Sequence, residues 1–198
     1  MSSIVVRNLS DQLVELVRDR ILSGEVSADL PIRQDALAAE LGVSKIPLRE
    51  ALTRLEQEGL IRSQANRGFF VRPLTTEEAE EVYALRLKLE PEAVALAAER
   101  AKEDEQAVAR QSLEALDRVT DAHGESVGAF NRAFHLALVR PATQAITFGI
   151  IERLHILSER YVRKHLEPSG RDERAIDEHR RMLDSWLARD GKAAAALT

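Results

Sequence analysis

The sequence predicts a mainly α-helical chain in two parts, a small unit of three helices and a β-hairpin followed by an all-α antiparallel bundle. Three observations carry this. Aromatics make up only 4% of the 198 residues while Ala, Leu, Arg and Glu are abundant, a balance that favours helices over sheets. Strand-like runs occur as one close pair, at 60–63 and 68–72. Pro73 separates that pair from a long remainder in which no strand pattern recurs.

The elements follow in order. Over 10–23, Leu13, Val14, Val17, Ile21 and Leu22 share one helical face, with Ser10 as the expected N-cap and Gly24 as the stop. A second helix is predicted over 33–41, ending at Gly42, and a third over 44–58, with Ser44 as N-cap and Pro47 in its first turn. Gly59 ends it. The two strand-like runs then form a hairpin whose turn draws its geometry from Asn66. Beyond Pro73, helices are predicted over 75–101, 103–121, 126–139, 143–165 and 171–189. Pro91 is expected to kink or split the first of these. Turns are expected at His123-Gly124, Pro141 and Pro168-Ser169-Gly170, and the end at 193–196 is alanine-rich.

Composition excludes several chemistries. The chain has no cysteine, which removes disulfide scaffolds, thiolate zinc sites and cysteine nucleophiles. No stretch reaches the roughly 20 apolar residues of a membrane span and no signal-peptide core opens the chain, so a cytoplasmic location without membrane partners is expected. The net charge of −5 is unevenly spread. Residues 1–75 hold ten Lys/Arg and ten Asp/Glu, leaving 18 against 23 in the remainder, and 44–72 carries six basic residues against three acidic. A basic stripe therefore lies where the predicted third helix and hairpin fall.

That stripe coincides with a pattern for reading DNA. Ala38 and Gly42 are small where two helices must cross closely, Gly42 suits a turn at positive φ, and Val43 would plug the angle between them. The following helix offers Ser44, Lys45, Ile46 and Arg49 near its N-terminus, the end that enters a major groove. Arg49 suits a guanine edge or a phosphate, and Lys45 a phosphate. Arg67, before Gly68, places a cation at the hairpin tip. Arg33 and Pro47 complete the candidate DNA-binding set.

The stretch LAAELGVSKIPLREALTRLEQEGLIRSQANRGFFVR resembles the GntR family of bacterial transcription regulators, and the likeness covers about residues 8–74. It implies a winged helix-turn-helix in which Ser44, Lys45 and Arg49 of the recognition helix, with Arg67 and Gly68 of the wing, touch DNA. Lys45 stands where the family usually has arginine, which removes a bidentate fork.

Farther on, YALRLKLEPEAVALAAERA resembles the opening of the FadR-type effector domain known as FCD, with Arg86, Leu89 and Glu90 matching its R-x-x-LE pattern. Asn131 to His135 and Asp177 to Arg180 resemble its D-x-x-FH and EH motifs. Asn131 and His135, four residues apart, share one helical face, and with His179 from another helix they would offer imidazole and amide-oxygen donors to a divalent ion such as Zn, Ni or Mn. The resemblance implies that such an ion holds a small organic acid, with Arg86 as the arginine beside it. Asn131 replaces the usual aspartate, and the family's last histidine would fall beyond Thr198, which weakens such a site. His155 and His165, on another helix, are substitutes without a motif.

The resulting expectation is a winged helix-turn-helix DNA-binding domain at 1–74 and an all-α, FCD-like effector-binding and dimerisation domain at 75–198 lacking its last helix. Its function would be sequence-specific transcription regulation, as a repressing homodimer on an inverted-repeat operator in double-stranded DNA, tuned by a small carboxylate effector. Two rivals stand beside it. One is a DNA-binding dimer with a degenerate, metal-free bundle. The other is a small metal-dependent hydrolase, which would leave the DNA-reading pattern unexplained.

Overall fold

The computed structural model describes residues 9–28, 30–121, 127–165 and 171–198. The chain separates into two compact units, Met1–Leu74 and Thr75–Thr198. The turns expected at His123-Gly124 and Pro168-Ser169-Gly170 lie outside the described residues, as does the side chain of His165.

The first unit holds α1 (Leu9–Leu22), α2 (Gln34–Glu40), α3 (Lys45–Glu58), β1 (Ile61–Gln64) and β2 (Gly68–Val71). The apolar stripe of α1 is buried against Leu48, Ala51, Leu52 and Leu55 of α3, the last four with no exposed surface. Ser10 is not an N-cap: it sits within the first turn of α1, and its hydroxyl donates to Glu50 on α3 at 2.8 Å. Arg18 forks onto Glu58 with bonds of 2.9 and 2.5 Å, a second tie between the same helices. Gly42, at φ 64, turns the chain between α2 and α3, and the Val43 N–H returns to the Ala38 carbonyl at 3.0 Å. The hairpin is antiparallel, Ile61 facing Val71 and Gln64 facing Gly68, with Asn66 at φ 59 in its turn. The Ile32 N–H bonds to the Phe69 carbonyl at 2.8 Å, fixing the hairpin to the segment that enters α2.

The second unit is helical: α4 (Thr76–Arg100), α5 (Glu103–Asp121), α6 (Val127–Val139), α7 (Ala145–His165), α8 (Arg171–Leu187) and α9 (Gly191–Ala195), with a 3₁₀ turn at Arg140–Ala142. Thr75 caps α4 by accepting from the Glu78 N–H at 3.1 Å. Of the two outcomes expected at Pro91, the split does not occur: α4 runs through it. A proline deprives one carbonyl of its donor, here that of Leu87, a residue on the exposed face of α4. The core gathers Ala97, Ala98, Leu113, Phe134, Leu138, Ile151, Met182 and Trp186. Trp186 is fully buried and donates its indole N–H to the Leu138 carbonyl at 3.1 Å. The short α9 escaped sequence reading. Asp190 caps it by accepting from the Ala193 N–H at 2.9 Å, and Gly191 lets it lie directly on α4, where a Cβ would stand 2.7 Å from the Ala95 carbonyl oxygen.

Candidate functional site

Two places carry polar groups that packing alone does not require. The first is the face of the N-terminal unit formed by the start of α3 and the hairpin. Ser44 has extended backbone at the N-cap position, but its hydroxyl makes no capping bond. Lys45, Ile46 and Arg49 all point outward, and Ile46 is 73% exposed, an unusual position for a large aliphatic side chain. Pro47 is half-buried beneath them. Arg49 and the hairpin residues Ser63, Gln64, Asn66 and Gly68 line one groove. Arg67 is exposed at the tip, its guanidinium 5.6 Å from the centroid of the Phe70 ring. Arg33 is exposed at the start of α2, in a concavity shared with Asp35 and Lys45, and Lys45 is ion-paired with Asp35.

Sequence reasoning missed two residues here. Gln34 lines the groove together with Arg49, its amide nitrogen 3.8 Å from where a Cβ on Gly68 would lie. Asp35 carries a carboxylate onto a face otherwise read as cationic. The available signal was their place beside Arg33, at the start of the helix before the recognition helix.

The second place is inside the helical unit. Arg86, on α4, donates from Nε and Nη2 to the two Glu90 oxygens at 2.6 and 3.2 Å, and from Nη1 to the Ser158 hydroxyl at 3.0 Å. The Glu90 side chain is 2% exposed. Burial pushes its carboxyl up, but His155 and Arg86 outweigh that and hold it below the usual carboxylate range. His155, on α7, is buried, with Nε2 3.2 Å from Glu90 Oε1 but not aligned for a hydrogen bond. The His135 ring on α6 lies against His155, centroids 5.3 Å apart, and against His179 of α8 at 5.2 Å. Burial is the first cause holding all three imidazoles below their ordinary range, His135 most of all, since protonated His155 and His179 and the Arg86 cation also oppose its charge. Beside this cluster, Arg132 and Glu159 form a buried ion pair between α6 and α7.

The structure thus brings Arg86, His135 and His179 into one neighbourhood and adds His155 and Glu90. Asn131 is half-buried on α6, one turn before His135. The donor set does not fit a divalent ion of the implied kind. Asn131 is neutral, the nearby carboxylate of Glu90 is bound to Arg86, and among the described residues no three histidine, aspartate or glutamate side chains are arranged to hold a metal. Arg86 is already neutralised, so a carboxylate arriving there would compete with Glu90.

A three-helix unit with a hairpin wing and an exposed recognition-helix end, followed by a helical domain with a polar interior, defines a DNA-binding transcription regulator rather than an enzyme. Residues 9–71 match the model of the gntR family of bacterial regulatory proteins, and residues 81–198 match the FCD domain. The chain belongs to the GntR family, with an FCD domain. It is 27% identical over 185 residues to the helix-turn-helix transcriptional regulator YdhC of Bacillus subtilis, covering 92% of this chain and 83% of that protein. To the Nta operon transcriptional regulator of Aminobacter aminovorans it is 42% identical over 108 residues, 54% of this chain and 51% of the relative. The solved structure of McbR/YncC from E. coli superposes with a TM-score of 0.78 at 25% identity, over 97% of this chain and 92% of that one. Among the described residues, no helix is long and apolar enough to cross a membrane.

Proposed function

We propose that this chain is a cytoplasmic repressor that binds an inverted-repeat operator as a homodimer and leaves it when a small organic acid enters the helical unit. In this reading 1–74 is the reading head and 75–198 the dimerisation and effector domain. Arg33, Ser44, Lys45, Ile46, Pro47, Arg49, Arg67 and Gly68 meet DNA. The observation that carries it is the groove shared by Arg49 and the hairpin, which sets base-reading and wing residues on one face. One such head covers too little DNA for useful specificity, which favours a two-fold pair.

The effector half rests on the polar cluster around Arg86. Burying this many ionisable groups is costly unless they are paired or serve a ligand. The acid would take Arg86 in exchange for Glu90, and displaced charge among His135, His155 and His179 would couple binding to helix placement. Because the donor set does not fit a metal, no contact is routed through an ion.

The test is selection of a random duplex pool by the purified full-length chain at fixed salt, with light scattering for its mass. Enrichment of a short inverted repeat by a dimer is expected, and Arg49→Ala should abolish it. A monomer that enriches nothing, with Arg49→Ala unchanged in residual binding, would overturn the proposal. Small carboxylic acids are then screened for release of the selected operator.

A further inference from the structure

Two cations of α3 are ion-paired with acids of neighbouring helices, Arg54 with Asp11 and Lys45 with Asp35, and the second pair sits at the N-terminal end of α3. Asp35, in the first turn of α2, is ion-paired with Lys45, the first residue of α3. The two side chains are 77% and 67% exposed, and a pair so open to water contributes little to holding α2 on α3. Their effect falls instead on whatever approaches that face. Arg33 borders the same concavity, so the charges there are two cations and one anion. We propose that Asp35 is a positioning residue that withholds Lys45 from the phosphate backbone and so sets the non-specific DNA affinity of the head.

The physical basis is ion release. Each cation that reaches a phosphate displaces condensed counterions and steepens the fall of affinity with salt by about 0.9 in log–log slope. A lysine held by a carboxylate brings no net charge to that exchange. Arg49, which no ion pair engages among the described residues, and the apolar Ile46 beside it then dominate the encounter, the former with guanine or phosphate and the latter with a thymine methyl. The inference rests on the reading of this face as the DNA-binding face.

The experiment measures binding of the full-length chain to a duplex of unrelated sequence from about 50 to 200 mM salt, the range over which the counterion term is large. Wild type, Asp35→Asn, Asp35→Glu, Lys45→Gln, the double variant Asp35→Asn/Lys45→Gln and Arg49→Ala are compared. Asp35→Asn should bind several-fold tighter at low salt and steepen the slope by about 0.9 per head, or about 1.8 for a dimer. Asp35→Glu should behave as wild type, and Asp35→Asn should change nothing once Lys45 is glutamine. An unchanged slope in Asp35→Asn overturns the proposal, as does a gain that persists without Lys45, which would be plain repulsion by Asp35. Thermal unfolding of each variant separates a loosened α2, which would shift the melt without altering the slope. If Arg49→Ala also binds as wild type, the fault lies with the DNA-face reading. If Arg49→Ala binds more weakly while Asp35→Asn is silent, only this inference fails.

Discussion

Replacing Arg86 with methionine should unfold the helical unit more easily, and in a way that depends on pH. The substitution keeps most of the aliphatic bulk and deletes the fork that engages both Glu90 oxygens at 2.6 and 3.2 Å. Glu90, with a side chain only 2% exposed, is then a carboxylate without its guanidinium. Breaking a buried pair in this manner costs about 3–5 kcal/mol. The lower end is expected, because His155 stands 3.2 Å from Glu90 and can take a proton to become the counter-ion. Removing Arg86 deletes a cation that lowers the His155 pKa, while the freed Glu90 raises it, so the variant's defect should shrink as pH falls. Glu90→Gln should cost less, about 1–3 kcal/mol, since the Arg86 side chain is 16% exposed and keeps Ser158. The double variant should cost less than the sum of the two. Trp186, the only tryptophan, is fully buried in this unit, so its fluorescence in a urea titration reports the unit by itself. A loss under about 1 kcal/mol for Arg86→Met, or strictly additive costs, would refute the assignment of these groups as one coupled network.

Acid should weaken the same unit before any carboxylate titrates. His135, His155 and His179 all have folded pKa values below their ordinary one, so the unfolded chain binds more protons and stability falls as pH drops through the unfolded value. Each contributes at most about 1.4 kcal/mol per pH unit, and a Trp186 midpoint that stayed level or rose between neutral pH and the onset of carboxylate titration would contradict this. Gly191→Ala should destabilise by about 1–3 kcal/mol, because its Cβ meets the Ala95 backbone at 2.7 Å, whereas Gly149→Ala, with open space around it, should be neutral or mildly stabilising. Dialysed protein should hold far less than one divalent ion per chain, and EDTA should leave the Trp186 midpoint in place. A full equivalent surviving dialysis, lost in His135→Ala, would restore the metal reading.

Much of this was legible in the residues because local chemistry fixed it. Gly42, Gly59 and Asn66 had to sit at positive φ for the chain to turn where the apolar faces stopped, and each does. Pro91 does not split α4, since its rule concerns a single hydrogen bond, and whether that loss ends a helix depends on what surrounds the Leu87 carbonyl, which the sequence does not state. The predicted helices stop at 189 and the alanine-rich end carries no assignment, though Asp190 is a sound cap for a further helix. His155 shows the deeper limit. His155, Ser158 and Glu159 follow Ile151 and Leu154 along the buried stripe of α7 at helical spacing, and all three are themselves buried. On a single helix that pattern equally suits a solvated face. Only the partners decide: Glu90 lies 65 positions away and Arg132 27, and nothing local announces either.

Ten cations against ten anions in residues 1–75 argue, taken as a count, against affinity for a polyanion. The structure shows why the count misleads. Asp11 is paired with Arg54, Glu15 and Glu58 with Arg18, and Glu40 with Arg20. Glu50 accepts from Ser10 and Glu56 from the Ser63 N–H at 2.6 Å. Three of these acids tie α1 to α3, while the others join α1 to α2, α3 to β1 or stay within α1. Arg33, Arg49, Arg62 and Arg67 meanwhile are exposed and make no ion pair among the described residues. A paired charge presents to a distant phosphate a dipole, whose field dies away faster than that of a lone cation and is screened within about 10 Å at ordinary salt. In the proposed reading, what DNA would meet is set by the arginines left over, with Asp35 an acid placed beside Arg33 and Lys45.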